Sequence, residues 1–369
     1  MRRSPVLVFT VLIVGAFLAL ATAVSTPGES PQDYQKRVLL AEQKETPPPE
    51  PELTTAQKQL EAELRAIGES FAGKVGIAVS EADSLATMSF KGKTPFPQQS
   101  VSKLWVTLTA LDLADQGALD LTESVTLRAG DLTVFHQPIR NIVRARGSFT
   151  TDYADLIHRA ITESDNTAND RILRRIGGPP AVEAFLRRNR IHGVQFGTDE
   201  RTKQSKIAGL EWNQAYALDR AFYDARDAVP EQDRRRAFEA YLADPMDGAS
   251  AGGIARALAR LARGDLLSAK STGLVYSTMQ ETRSGPRRLK GGVPDGWTFG
   301  HKTGTGQFFD GVQSGYNDVG ILTAPDGTQY SLVVLIGQTR ASYAERMAMM
   351  QEVTRAVVRH HEARSITEA

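Results

Sequence analysis

The strand-like stretches of this chain lie at its two ends, and the helical ones lie between them. Apolar, β-branched runs occur early, at residues 75–79 and 85–90, separated by Glu81-Ala82-Asp83-Ser84 as a turn. Three more occur late, at 297–303, 317–323 and 330–337, the last two joined across Asp326-Gly327. Helical segments are expected in between, at 152–160, 167–176, 180–190, 231–242, 250–262 and 272–282. A last helix is expected over 343–361. The economical arrangement is one sheet assembled from both ends of the chain. The expected fold class is therefore α/β in the α+β sense. It is an antiparallel sheet of about five strands flanked by terminal helices, with an all-helical subdomain inserted.

Ahead of this region the composition changes twice. Arg2 and Arg3 precede an apolar run to about Val24, and Ala21-Thr22-Ala23 gives a small-x-small cleavage pattern. Residues 1–24 read as a signal peptide or, uncleaved, as an N-terminal membrane anchor. Residues 25–53, with Pro47-Pro48-Pro49 and Pro51, are too polar and Pro-rich to bury a core and read as a linker. Residues 54–369 are left as the catalytic domain, with Thr54 or Thr55 capping its first helix. The protein is expected to be exported, periplasmic or otherwise extracytoplasmic, with a membrane tether as the alternative to release.

Charge and composition remove several function classes. A net charge of +1 offers no general field for nucleic acid, so none is expected as a partner. No cysteine is present, which removes disulfides, a thiolate nucleophile and Cys-bound zinc. The six histidines form no ligand-spaced pair, so neither a metal nor another cofactor is expected. A Ser-His-Asp triad would lack the Gly-x-Ser-x-Gly elbow.

Three short strings do point to chemistry: Ser100-Val101-Ser102-Lys103, Ser164-Asp165-Asn166 and Lys302-Thr303-Gly304. With 22 Ser and 12 Lys, about one Ser-x-x-Lys pair is expected by chance. The two tripeptides are rarer, and the order of all three is more informative than any one. Leu104, Leu108 and Leu111 give the segment after Ser100 a helical apolar face. Lys103 then lies one turn beyond Ser100 on the same side, within reach of its hydroxyl.

In this order the motifs resemble those of the penicillin-recognising serine hydrolases, and class A β-lactamases most closely, over roughly residues 55–362. Gly177-Gly178-Pro179, Asp295-Gly296-Trp297 and Asn317-Asp318 agree with that pattern. The resemblance implies Ser100 as nucleophile, Lys103 or Glu200 as its base, and Ser164 as a proton relay to the leaving nitrogen. It implies Asn166 for the substrate's side-chain amide, and Lys302, Thr303, Gly304, Thr305 and Arg288 around its carboxylate and oxyanion. It places the active site between the sheet and the helical subdomain, with Phe135 at the pocket mouth and Gln204 beside the hydrolytic water. The substrate would be a β-lactam or a peptidoglycan peptide, and the protein a monomer.

The same resemblance exposes departures. The loop region of about 200–247 is enlarged by a segment near 207–241 that should form one or two helices. Thr198 stands where the family has the arginine that pairs with Asp247, so that ion pair is expected to be missing. Asp170 replaces a supporting asparagine, with Asn169 beside it. These changes bear on deacylation more than on acylation. Three readings follow: a class A-type β-lactam hydrolase, a D-alanyl-D-alanine carboxypeptidase or endopeptidase, or a β-lactam or cell-wall sensor that turns over slowly or not at all.

Overall fold

Thr54 starts the first helix by a reciprocal cap. Its hydroxyl accepts the Gln57 N–H at 3.3 Å, and the Gln57 side-chain oxygen accepts the Thr54 N–H at 2.9 Å. The structure, a computed structural model, describes residues 51–368. The leader and nearly all of the linker read from the sequence lie outside the described residues.

Helix α1 (Thr55–Ser70) is followed by β1 (Gly73–Glu81), β2 (Thr87–Phe90) and a short β3 (Pro95–Pro97). A 3₁₀ turn (Gln99–Ser102) runs directly into α2 (Lys103–Asp115). After β4 (Ser124–Leu127) come α3 (Ile139–Arg146), β5 (Phe149–Asp152), α4 (Tyr153–Thr162), α5 (Asn166–Arg175) and α6 (Pro179–Arg188). The enlarged loop region then contributes α7 (Glu200–Ile207), α8 (Ala221–Ala228) and α9 (Glu231–Ala243). A short β6 (Gly248–Ser250) leads into α10 (Ala251–Ala262) and α11 (Ala269–Gln280). The chain returns through β7 (Thr298–Thr305), β8 (Phe308–Phe309), β9 (Val312–Gln313), β10 (Tyr316–Thr323) and β11 (Gln329–Thr339), and closes with α12 (Tyr343–Glu368).

The main sheet runs β2-β1-β11-β10-β7, with every neighbouring pair antiparallel. Its centre joins the two ends of the chain, with Ile77 opposite Val334. The small β8–β9 hairpin extends it, and two further strand pairs, β3 with β6 and β4 with β5, lie outside it. These pairs are only three or four residues long, and although Ser124-Val125-Thr126-Leu127 alternates, so short a run does not stand out between helical segments.

Side chains alternate across β1, so the sheet feeds two cores. Val75, Ile77 and Val79 join Leu60 and Leu64 of α1 and Val353 and Val357 of α12. Ala78, Val333 and Leu335 face Leu104, Trp105 and Leu108 of α2 and Ile254 and Leu258 of α10. The sequence suggested a one-sided α2. Every residue from Lys103 to Leu111 is in fact buried, because the helix threads between the sheet and the helical middle. Lys103 is thus carried into the interior by its position on a central helix. Among the described residues no helix is long and apolar enough to cross a membrane.

Trp105 Nε1 donates to Gln98 Oε1 at 2.6 Å, and Gln98 Nε2 donates to the backbone oxygens of Asp247 and Gln195, each at 2.8 Å. Replacing Trp105 by Phe keeps an aromatic side chain but removes the indole N–H and some core volume, and strands a buried acceptor. Guanidinium unfolding is expected to show a loss of about 1–3 kcal/mol; an unchanged midpoint would mean that the Gln98 stitch contributes nothing.

Candidate active site

Ser100 lies in the 3₁₀ turn, immediately before the amino terminus of α2. The residue before it, Gln99, has a positive φ of 54°. A side chain rarely occupies that region without support, and the penalty is on the order of 1–3 kcal/mol. Here hydrogen bonds supply the support. Gln99 N–H donates to Asp247 Oδ2 at 2.8 Å, its Nε2 donates to Tyr241 OH at 2.7 Å, and its Oε1 accepts from Gln204 Nε2 at 3.0 Å. Phe135 and Ser164 also have positive φ, 61° and 60°. Left-handed backbone thus recurs at the residue before Ser100, at Phe135 and at Ser164.

Lys103 Nζ, fully buried, donates to Ser164 O at 2.7 Å, to Asn166 Oδ1 at 2.5 Å and to Ser164 Oγ at 3.3 Å. Lys302 Nζ reaches the same Ser164 hydroxyl at 2.9 Å. The Ser164 Oγ thus sits between two ammonium groups from α2 and β7. Burial lowers the Lys103 pKa to about 8, with the carboxylates of Glu200 and Asp165 opposing the drop. Burial also pushes Lys302 well below an ordinary lysine, and the charges of Lys103 and Arg288 push the same way. Asp165 holds this corner in place: it caps α5 through the Ala168 N–H at 3.0 Å and accepts the Ile139 N–H at 2.8 Å. Asn166 Nδ2 donates to Val134 O at 2.8 Å, next to Phe135.

Strand β7 brings Lys302 to Thr305 against the turn that holds Ser100. Gly304 permits the approach, because a Cβ there would lie 2.4 Å from Gln98 O. Asn317 on β10 fastens the same place, its Nδ2 donating to Pro97 O at 2.7 Å and Gln98 O at 3.0 Å. Arg288 is nearly buried. It donates to Thr305 Oγ1 at 2.7 Å, to Asn317 O at 2.6 Å and to Gly304 O at 3.0 Å, and its guanidinium stacks 3.8 Å from the Tyr316 ring centroid. The hydroxyl of Thr303 pairs with Ser284 Oγ at 2.7 Å.

Glu200 opens α7 and is almost wholly buried. Its backbone N–H donates to Asp170 Oδ1 at 3.2 Å, so the aspartate keeps the acceptor an asparagine would have supplied. Burial, with the nearby charges of Asp199 and Glu200, pushes the Asp170 carboxyl up to about 7. The Glu200 carboxylate accepts from Lys203 Nζ at 3.0 Å and from Gln204 Nε2 at 3.2 Å. Burial opposes its charge, but Lys203 and Lys103 outweigh burial and hold it below the usual carboxylate range.

The pair that Thr198 cannot make with Asp247 is replaced by one from Lys203. Its ammonium, 1% exposed, also lies 3.4 Å from Asp247 Oδ2, and 3.5 Å from both Ser102 Oγ and Gln99 O. It joins the two ends of the enlarged loop to each other and to the nucleophile turn. Burial disfavours this cation, yet Glu200 and Asp247 hold its pKa above that of a free lysine.

The structure therefore gathers Lys103, Ser164, Asn166 and Lys302 into one hydrogen-bonded group. Gln204 and Glu200 flank it on one side, and Arg288, Gly304 and Thr305 on another. Phe135 and Gln204 share a cleft with Thr305. Sequence reasoning missed Lys203, Gln99 and Tyr241. Lys203 follows Glu200 by three residues, a spacing that puts both on one helix face, and this was the available signal. Among the described residues no three His, Cys, Asp or Glu side chains gather as a metal site.

Removing one partner from a buried ion cluster leaves charge without compensation. Lys203→Met is expected to lower the unfolding free energy by about 3–5 kcal/mol. Lys203→Met combined with Asp247→Asn should recover part of the loss in the same guanidinium titration, whereas strict additivity would show that the two side chains do not interact.

Comparison with known proteins places this arrangement. Residues 59–361 match the model described as the β-lactamase enzyme family. The extended-spectrum β-lactamase PER-1 of Pseudomonas aeruginosa is 29% identical over 280 residues, which cover 76% of this chain and 80% of that protein. β-Lactamase VEB-1 of the same organism is 26% identical over 268 residues, covering 72% and 78%. A solved ancestral class A β-lactamase (GNCA) superposes with a TM-score of 0.63 at 26% identity, covering 82% of this chain and 99% of its own.

Proposed function

We propose that this chain, which belongs to the β-lactamase enzyme family, hydrolyses the amide of a β-lactam ring through an ester on Ser100. The observation that carries the proposal is the Ser164 hydroxyl held between Lys302 and Lys103, the latter three residues after Ser100. In the first half-reaction Ser100 Oγ forms a bond to the lactam carbonyl and the C–N bond breaks. The hydroxyl proton leaves to a base, and the nitrogen is protonated through Ser164. The N–H groups of Ser100 and Thr305 face the developing oxyanion. The positive end of α2 favours that charge. Lys302, Thr303 and Thr305 hold the substrate carboxylate, with Arg288 orienting Thr305. Asn166 receives the side-chain amide. In the second half-reaction water adds to the ester, Glu200 accepts its proton, and Ser100 regains a hydrogen.

Two bases compete for the first proton, and their ionisations separate them. Lys103 becomes a free amine only above its folded pKa of about 8. Glu200, held low, is ionised at every pH above the ordinary carboxylate range. If Lys103 is the base, the acylation rate climbs about tenfold per pH unit and levels near pH 8. A rate already flat between pH 6 and 9 would assign the step to Glu200.

The ion pair with Lys203 also weakens Glu200 as a proton acceptor, since a low pKa means a poor base. The effect falls on deacylation, the half-reaction in which Glu200 takes the proton of water. The same pairing is the observation favouring a second reading, a β-lactam or cell-wall sensor that is acylated and released slowly. Export, through the basic and apolar run at residues 2–24, would bring the protein to either kind of ligand.

Mixing the protein with a chromogenic cephalosporin while following intact mass tests the proposal. Repeated turnover with a transient single adduct is expected. Ser100→Ala should abolish both, and an adduct that survives this substitution would refute the assignment of the nucleophile.

A further inference from the structure

The enlarged loop region does more than lengthen the chain. Helix α8 lays Phe222 and Tyr223 against Phe135, with ring centroids 4.8 Å and 5.8 Å away. Tyr216 packs edge-on to Phe222 at 5.9 Å, and Trp212 to Tyr216 at 6.0 Å. Arg201, the residue after Glu200, lies over Trp212 at 5.6 Å. The inserted segment is thereby packed onto the site by an unbroken run of rings, with Phe222 buried at its centre.

This packing encloses a cleft of about 500 Å³ between the site and the insertion, lined by Phe135, Gln204, Tyr223, Arg226, Thr305 and Gln307 among others. Gln204 touches Glu200, and Thr305 is held by Arg288, so the cleft opens directly off the site. Two walls are aromatic. Gln204 and Gln307 are locked together, Gln307 Nε2 donating to Gln204 Oε1 at 3.0 Å and to its backbone oxygen at 2.8 Å. No acidic residue lines the cleft, and its one permanent charge is Arg226. The neighbouring carboxylate, Asp227, is divided between two guanidiniums, Arg226 at 3.2 Å and Arg234 at 3.8 Å, and is itself half-exposed. Arg226 spends Nε and Nη2 on Asp227, each at 3.2 Å, which leaves Nη1 to meet an anion in the cleft, and its guanidinium lies 5.1 Å from the aromatic wall formed by Tyr223.

We infer that α8 builds a subsite for an acyl side chain carrying both an aryl ring and a negative charge, with the ring against Phe135 and Tyr223 and the anion on Arg226. This rests on the reading of Ser100 as the acylated residue. Because the insertion supplies both Tyr223 and Arg226, the selectivity belongs to the enlarged loop and not to the three catalytic motifs. Arg226 is not part of the reacting group, so its removal should spare substrates without the extra anion.

Carbenicillin and benzylpenicillin test this directly, since they differ by a carboxylate on the benzylic carbon. Their acylation efficiencies can be read from adduct formation on Ser100 in the full chain. Arg226→Gln is expected to cut the efficiency for carbenicillin about tenfold and to leave benzylpenicillin within about twofold, which also reports that the variant is folded. Arg226→Lys should restore most of the loss, and added salt should weaken carbenicillin selectively in the parent. Equal losses for the two penicillins, or no loss for either, would overturn the subsite. Absence of an adduct from both with the unsubstituted protein would instead overturn the reading of Ser100, and the subsite with it.

Discussion

The buried cation of Lys203 holds the site together. It lies between the carboxylates that begin and end the enlarged loop region, 3.0 Å from Glu200 and 3.4 Å from Asp247, and within 3.5 Å of Ser102 Oγ and Gln99 O in the nucleophile turn. Taking three charges out of water is expensive, and such a cluster persists only when each charge meets its partners at close range. Asp247 meets them on both oxygens: Oδ2 takes the Gln99 N–H at 2.8 Å, and Oδ1 takes the Tyr241 hydroxyl at 2.9 Å. The strained backbone at Gln99 is therefore a consequence of the loop's closure. Losing the cluster would free the loop and relax the turn that aims Ser100.

Around that point the fold works as a clamp with two rigid jaws. One jaw is α2, buried from Lys103 to Leu111, together with the 3₁₀ turn of Ser100 that runs directly into it. The other is β7, paired residue by residue with β10, Lys302 opposite Val319 and Gly304 opposite Asn317. Ser164 enters from the helical middle on a strained residue and touches both ammonium groups. Each catalytic motif thus comes from a different structural unit. Packing between these units sets the distances within the site, which local sequence alone cannot do.

The motifs and the long elements were legible in the sequence because their signals are local. Ser100 and Lys103 share a helix turn, and the five long strands alternate or run apolar over enough residues to be seen. The boundaries moved by a few residues, as helix ends do, and the closing helix continues to Glu368 beyond the expected His361. The role of Lys203 was hidden because its second partner lies 44 positions along the chain, and Gln99 contacts Asp247 across 148. Thr198 does remove the pair expected from its own position, but the charge requirement of Asp247 is met from the next helix by Lys203. The fit of the insertion against Phe135 was likewise invisible, since aromatic residues at helical spacing do not state which surface they cover.

In the proposed reaction Ser100 carries the acyl group and Glu200 removes it. The most direct measurement is peptide mapping by mass spectrometry of Glu200→Gln after brief exposure to benzylpenicillin. The account predicts one equivalent of penicilloyl group on the peptide containing Ser100, persisting long after the parent protein has cleared its own. A label on another residue, or clearance as fast as in the parent, would contradict it.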